Sequence, residues 1–220
     1  MTTFEILLQQ IGLFVIYLLA GVILVRTKVL NKETLEPISK FVIKMALPVM
    51  IFINIIDGVN KEILFGSWPI LLIAAGFYAV MFLISFRMTR IFHLTENRAG
   101  IYQAMMLFGN IGFMAVPVIS NIFPENGILY VSVFMIFDQF MLWTLGVKLT
   151  TPKGSGRFDP KKLINPATVA ILIGMILMLT KVRIPSLLDT GLQKIGATAS
   201  PLAMIYIGGI FAELPLKKYL

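Results

Sequence analysis

The sequence predicts an all-α polytopic membrane protein with seven transmembrane helices. Composition is the first reason: 58% of the 220 residues are hydrophobic and only 14% charged, with a mean hydropathy of +0.89, far from soluble usage. The second is that apolar runs recur at close to the ~20 residues a hydrocarbon core demands. The third is that the basic residues behind the net charge of +8 collect between those runs, as membrane topology requires.

The spans follow in order. Ile6 to Val25 is the first, because Glu5 and the lack of a preceding basic residue argue against a cleavable signal. Ile38 to Ile56 is the second, entered by Lys40 and by Lys44, whose stem can cover apolar surface while its ammonium reaches the headgroups. Trp68 to Phe86, Ala99 to Phe123 and Ile128 to Val147 come next, then Pro166 to Val182, which is short, and Ile195 to Leu214. An outside N-terminus puts fifteen of the 19 Lys and Arg on the cytoplasmic side, leaving out only Lys61, Lys181, Arg183 and Lys194. The chain's C-terminus is then cytoplasmic, the expected location is a cell membrane (plasma or inner), and the lipid bilayer is a partner. His93, among Arg87, Arg90 and Arg98, reads as interfacial.

The charge excess is thus a matter of topology. With no interleaved aromatic platform or reading motif, nucleic acid is not an expected partner. The absence of cysteine excludes disulfides, a thiolate nucleophile and Cys-ligated metal. No HExxH or paired intramembrane aspartates occur, so no enzyme, metal site or cofactor is expected.

An internal repeat organises the chain. At an offset of 153, "GVILVRTKV" from Gly21 meets "GMILMLTKV" from Gly174, and Leu35, Ala46 and Pro48 fall on Leu188, Ala199 and Pro201. Nine of 28 positions are identical without a gap; the Thr27/Thr180, Lys28/Lys181 and proline matches are not a product of apolar bias. The charge pattern places the copies' loops on opposite sides, so the copies are inverted. The expected organisation is a first five-helix repeat over 1–150 with a broken fourth helix, a cytoplasmic linker over 151–163, and the first two helices of a second, truncated repeat over 164–220. Inverted repeats of this kind build many secondary transporters, which hold substrate near the midplane at interrupted helices.

The fourth span carries such an interruption in "GNIGFMAVP". Pro117 cannot donate to the carbonyl of Phe113, and Gly109 and Gly112 lower the cost of non-helical angles. Asn110 adds a donor and an acceptor at roughly 16 Å from the cytoplasmic end, near the midplane. A break is tolerated in lipid only where protein or a wet cavity surrounds it. Freed amides and the positive end of a half-helix suit a carboxylate, so a small organic anion is the expected substrate, bound by Asn110, Gly109, Gly112 and Pro117. The alternative is that glycine and proline here only serve close packing or a kink.

With "FVIKMALPVMIF", "GNIGFMAVPVI", "NPATVAILIGMIL" and "ASPLAMIYIGG" spread over the chain, the sequence resembles the auxin efflux carrier family, which includes plant auxin exporters and bacterial malate and malonate permeases. The resemblance implies ten spans in two inverted repeats, crossed broken helices in spans four and nine, and an organic anion as substrate. Asn110 matches the family's crossover asparagine and Pro117 the proline seven residues on. Gly109 stands where plant members carry proline, and spans eight to ten have no counterpart.

Asp138 in "FMIFDQFMLWT" is the acid deep within a span, about 15 Å from its outer end. Intramembrane charge points to function, here proton coupling; the alternative is a packing contact with Gln139 or Gln103. Gln9 and Gln10 can bond across helices or face a partner chain, which leaves room for a homodimer without deciding the oligomeric state. The leading reading is a secondary transporter (permease) of a malate-, malonate- or auxin-like anion by alternating access. The alternative is a transport-inactive shortened homologue acting as a membrane scaffold or partner subunit.

Overall fold

The computed structural model describes residues 2–58, 61–109, 111, 115, 118–119, 122–123, 127–151, 164–182 and 184–214, which are helical with short connections and contain no strand. Their elements are α1 (Thr3–Arg26), α2 (Lys32–Phe41), a π-helical turn (Val42–Ala46), α3 (Leu47–Gly58), α4 (Lys61–Gly66), α5 (Trp68–Ile91) and α6 (Glu96–Leu107). After these come α7 (Gly127–Met141), a second π turn (Leu142–Gly146), α8 (Val147–Thr150), α9 (Pro166–Thr180), α10 (Ser186–Ala197) and α11 (Ala199–Glu213).

Among the described residues five helical segments are long and apolar enough to cross a bilayer: Phe4–Arg26, Lys32–Asp57, Trp68–Ile91, Tyr130–Thr150 and Ser186–Glu213, with Pro166–Thr180 apolar but shorter. These take up six of the seven expected spans; the remaining one, Ala99 to Phe123, is not a single helix. The helices of the second and seventh start earlier than their apolar runs, at Lys32 and Ser186, and the first turn of the second is held by polar groups. At the second, Asn31 Oδ1 accepts from the Thr34 amide at 2.9 Å, Thr34 Oγ1 accepts from the Asn31 amide at 2.8 Å, and Lys40 pairs with Glu36 at 2.6 Å.

The chain divides into two compact units, Met1–Ile53 with Ile184–Leu220, and Asn54–Arg183. In the first, α1 lies on α11 through glycines. A Cβ on Gly21 would fall 2.0 Å from the Ile205 carbonyl oxygen, and one on Gly208 would fall 2.0 Å from that of Leu18. Leu35, the buried residue of α2, sits in the hollow that Gly209 leaves. The opposite face of α1 presents Phe4, Leu8, Ile11, Val15, Leu19 and Ile23 outward, an apolar stripe suited to lipid. Gln9 is exposed and Gln10 half-buried.

In the second unit α5 packs on α6 and α7. Gly100 brings α6 against α8, where a Cβ would meet the Leu149 carbonyl oxygen at 2.0 Å, and Gly174 seats α9 on Ile55. The start of α9 explains "NPAT" physically: Asn165 Oδ1 caps the amides of Ala167 and Thr168 at 3.0 Å each, Pro166 takes the first helical position, where no amide is needed, and Thr168 Oγ1 accepts from the Asn165 amide at 3.0 Å.

Stretches 153 residues apart share local structure. Thr27 Oγ1 donates to the Ile23 carbonyl and Thr180 Oγ1 to the Ile176 carbonyl, both at 2.8 Å. The next residues, Lys28 and Lys181, both turn left-handed, at φ 61° and 56°. Ahead of Pro48 runs the π turn Val42–Ala46, and ahead of Pro201 the helix is interrupted at Thr198; a proline lacking its amide and crowding the preceding turn accounts for both. Ala46 and Ala199 are each fully buried. Lys44 is exposed on its π turn, and His93 is exposed too, at φ 48°.

Candidate functional site

The fourth apolar segment loses its helix where the glycines begin. α6 stops at Leu107, and Phe108 is extended at φ −108°, ψ 112°. Gly109 is non-helical as well, while Ile111, Ala115, Val118 and Ile119 are helical again. The site expected from sequence therefore stands only partly in view: Gly109 is described, whereas Asn110, Gly112 and Pro117 lie outside the described residues.

Beside this break is a cavity of about 920 Å³, within the volume range of small-molecule sites. The start of α5 lines it with Ser67, Pro69 and Phe77, and α7 with Tyr130 and Phe134; Leu107 and Gly109 bring the end of α6 to its wall. Among the described residues its lining is predominantly apolar, with the hydroxyls of Ser67 and Tyr130 as polar side-chain groups. A Cβ on Gly109 would meet nothing within 4 Å, so the glycine leaves open space where the backbone departs from helix.

Adjoining the cavity wall is a buried polar pair that the hydropathy pattern half revealed. Asp138, 2% exposed, lies one turn beyond Phe134 on α7. Its Oδ1 accepts from the hydroxyl of Tyr78, and its Oδ2 accepts from Gln139 Nε2 at 3.1 Å. Both carboxyl oxygens are engaged, as an intramembrane acid requires. Of the two expected amide contacts, Gln139 makes one. Gln103 is buried, but no hydrogen bond joins it to Asp138 among the described residues. Tyr78 was missed by sequence reasoning. The available signal was a tyrosine at mid-span on α5, since a hydroxyl placed so deep must find a partner.

The ring of Tyr78, itself 2% exposed, lies 5.7 Å centroid to centroid from Phe108 and 5.7 Å from Phe137. It also stacks on Phe134 at 6.3 Å and meets Phe77 edge-on at 5.6 Å. On its other side Phe108 occupies the space left by Gly146 in the second π turn, where a Cβ would come 3.0 Å from Phe108 Cε2. Further along this unit, Lys181 Nζ at the end of α9 pairs with Glu62 on α4 at 2.6 Å.

The family model described as membrane transport protein matches residues 6–159 and 156–219. An uncharacterized transporter of Methanocaldococcus jannaschii is 27% identical over 198 residues, which are 86% of this chain and 64% of that protein. The chain therefore spans less than two thirds of that relative's length.

Proposed function

The chain belongs to the membrane transport protein family, and from that premise we propose that it is a secondary carrier, or the larger part of one, that moves a small organic anion by alternating access at the broken fourth helix. The observation that carries this reading is the loss of helix at Phe108 and Gly109 beside a cavity of about 920 Å³. Irregular backbone at membrane depth is tolerated where it lines a cavity or lies within protein. Asn110 and the amides freed around it, with Gly112 and Pro117 opening the helix, are the proposed carboxylate site; Gly109 joins that site to the cavity.

The charge-derived orientation, with the N-terminus outside and the C-terminus of this chain cytoplasmic, sets the N-terminal ends of α5 and α7 at the outer face of the cell membrane. The cavity, lined from those ends, then opens outward. The repeat is supported by the matched Thr-Lys helix ends and by the irregular turns ahead of Pro48 and Pro201, and its inversion rests on the charge pattern.

The test is uptake of labelled malate, malonate and an auxin-like indole acid into proteoliposomes holding the chain. Uptake of at least one above empty vesicles, reduced to that background by Asn110→Ala, is the expected result. A correctly inserted, monodisperse chain that takes up none of them would instead favour a scaffold or partner-subunit role, in which case a homodimer or a larger hetero-complex is the form to seek.

A further inference from the structure

We propose that Tyr78 is a positioning residue for the helix break, acting through Phe108, and that its bond to Asp138 is what fixes it there; the functional meaning of this latch rests on the carrier reading above.

α6 has no strong local reason to end where it does. Leu107 and Phe108 are compatible with helix, and Gly109 lowers the cost of leaving it without dictating the exit point. What Phe108 meets is a slot of defined depth. One wall is the Tyr78 ring and the other is the bare backbone at Gly146. The extended backbone of Phe108 puts its ring into that slot, whereas a continuing helix would carry the side chain along the α6 face.

The Tyr78 wall is rigid because it is held at both ends. Phe77, Phe134 and Phe137 surround the ring, and the hydroxyl is tied to Asp138, whose other oxygen is held by Gln139. With donor and acceptor both buried, losing one leaves the other unsatisfied, so the pair has one favoured arrangement. The polar pair thereby determines where an apolar ring sits, and that ring determines where the helix stops beside the cavity.

The chain's lack of cysteine permits a direct test that needs no substrate. Gly109→Cys introduces a single thiol into open space, and its rate of reaction with a water-soluble maleimide reports water access at the break. In that background Tyr78→Phe keeps the ring and removes the tie; with α6 freer to continue past Phe108, labelling is expected to slow by up to about fivefold, the population shift that loss of one typical hydrogen bond produces. Asp138→Asn retains an acceptor for the tyrosine and is expected to stay within about twofold of the parent, a factor worth less than one such bond. Phe108→Leu leaves the polar pair intact but takes the ring out of the slot, so it should match Tyr78→Phe, and the two together should be no slower than either alone.

Unchanged labelling in Phe108→Leu, or effects of the two substitutions that multiply, overturns the latch even if Tyr78→Phe proves too unstable to purify. A labelling shift as expected in a chain that transports nothing would remove the carrier reading and leave the latch standing.

Discussion

Lys28 and Lys181 show how much one residue's backbone can reveal. Each sits in the left-handed region, at φ 61° and 56°, just after a threonine whose hydroxyl bonds back into the helix. Glycine is the usual occupant of this position, because a Cβ there crowds the following carbonyl at a cost of roughly 1–2 kcal/mol. Lysine brings its charge to the negative end of the helix in return. Lys28 is exposed with no salt bridge among the described residues, so it isolates the conformational effect. Lys28→Gly is expected to leave stability unchanged or raise it by up to about 1 kcal/mol, since strain relief exceeds the entropy glycine loses on folding. Lys28→Val, β-branched at the same angle, should lower it by about 1 kcal/mol or more. Thermal unfolding in detergent reads both, and a valine variant as stable as the glycine variant would remove strain as the explanation.

At the scale of elements, glycine decides which helices can touch. The α1–α11 contact is close enough that Gly21 and Gly208 each face a carbonyl oxygen at 2.0 Å from where a Cβ would stand. Backbone cannot yield as a flexible side chain can, so Gly208→Ala must push the helices apart, at a cost of about 1–3 kcal/mol by the usual penalty for overpacking. Gly12→Ala, on the same α1 with nothing within 4 Å of its Cβ, should be neutral or slightly stabilising by helix propensity. Comparing the folded fraction of the two variants in detergent checks this; equal behaviour would mean the helices are not in that contact.

The same elements show what was legible in sequence. Hydropathy found the apolar segments because lipid selects for exactly that property along a whole helix. The helices of the second and seventh spans begin ahead of their apolar runs, which hydropathy does not report: Asn31 with Thr34 starts the one, and Asp189 with Gln193 bridges a turn of the other. That the fourth segment would break was readable from its glycines, which lower the cost of leaving helix; the exit point at Phe108 was not. Tyr78 was not, for its role depends on Asp138 sixty residues away, and such a pairing exists only once α5 and α7 pack together. Asn110 lies outside the described residues, and its place in the substrate site is a proposal.

For the whole molecule, the apolar lining of the cavity bears on which anion the chain would carry. A dicarboxylate such as malate has one carboxylate to place at the proposed amide site and a second that must stay near water or be buried without a partner, which costs several kcal/mol. An indole monocarboxylate has one charge and a ring. Aromatic groups bury roughly 150–250 Å², and even half of the lower figure at about 25 cal/mol per Å² contributes nearly 2 kcal/mol. The walls from Phe77, Phe134 and Ile70 offer that contact, and among the described lining residues the hydroxyls of Ser67 and Tyr130 are too few to receive a second carboxylate in charge-assisted bonds. An auxin-like indole acid is therefore expected to inhibit uptake of a labelled organic anion at a concentration at least about tenfold below malate, the factor that 1.4 kcal/mol represents. Phe134→Ala, which strips one wall, should narrow that gap while leaving inhibition by malate nearly unchanged. Competition curves on the two proteins measure both quantities. Malate competing as well as the indole acid, with a gap insensitive to Phe134, would place substrate recognition somewhere other than this cavity.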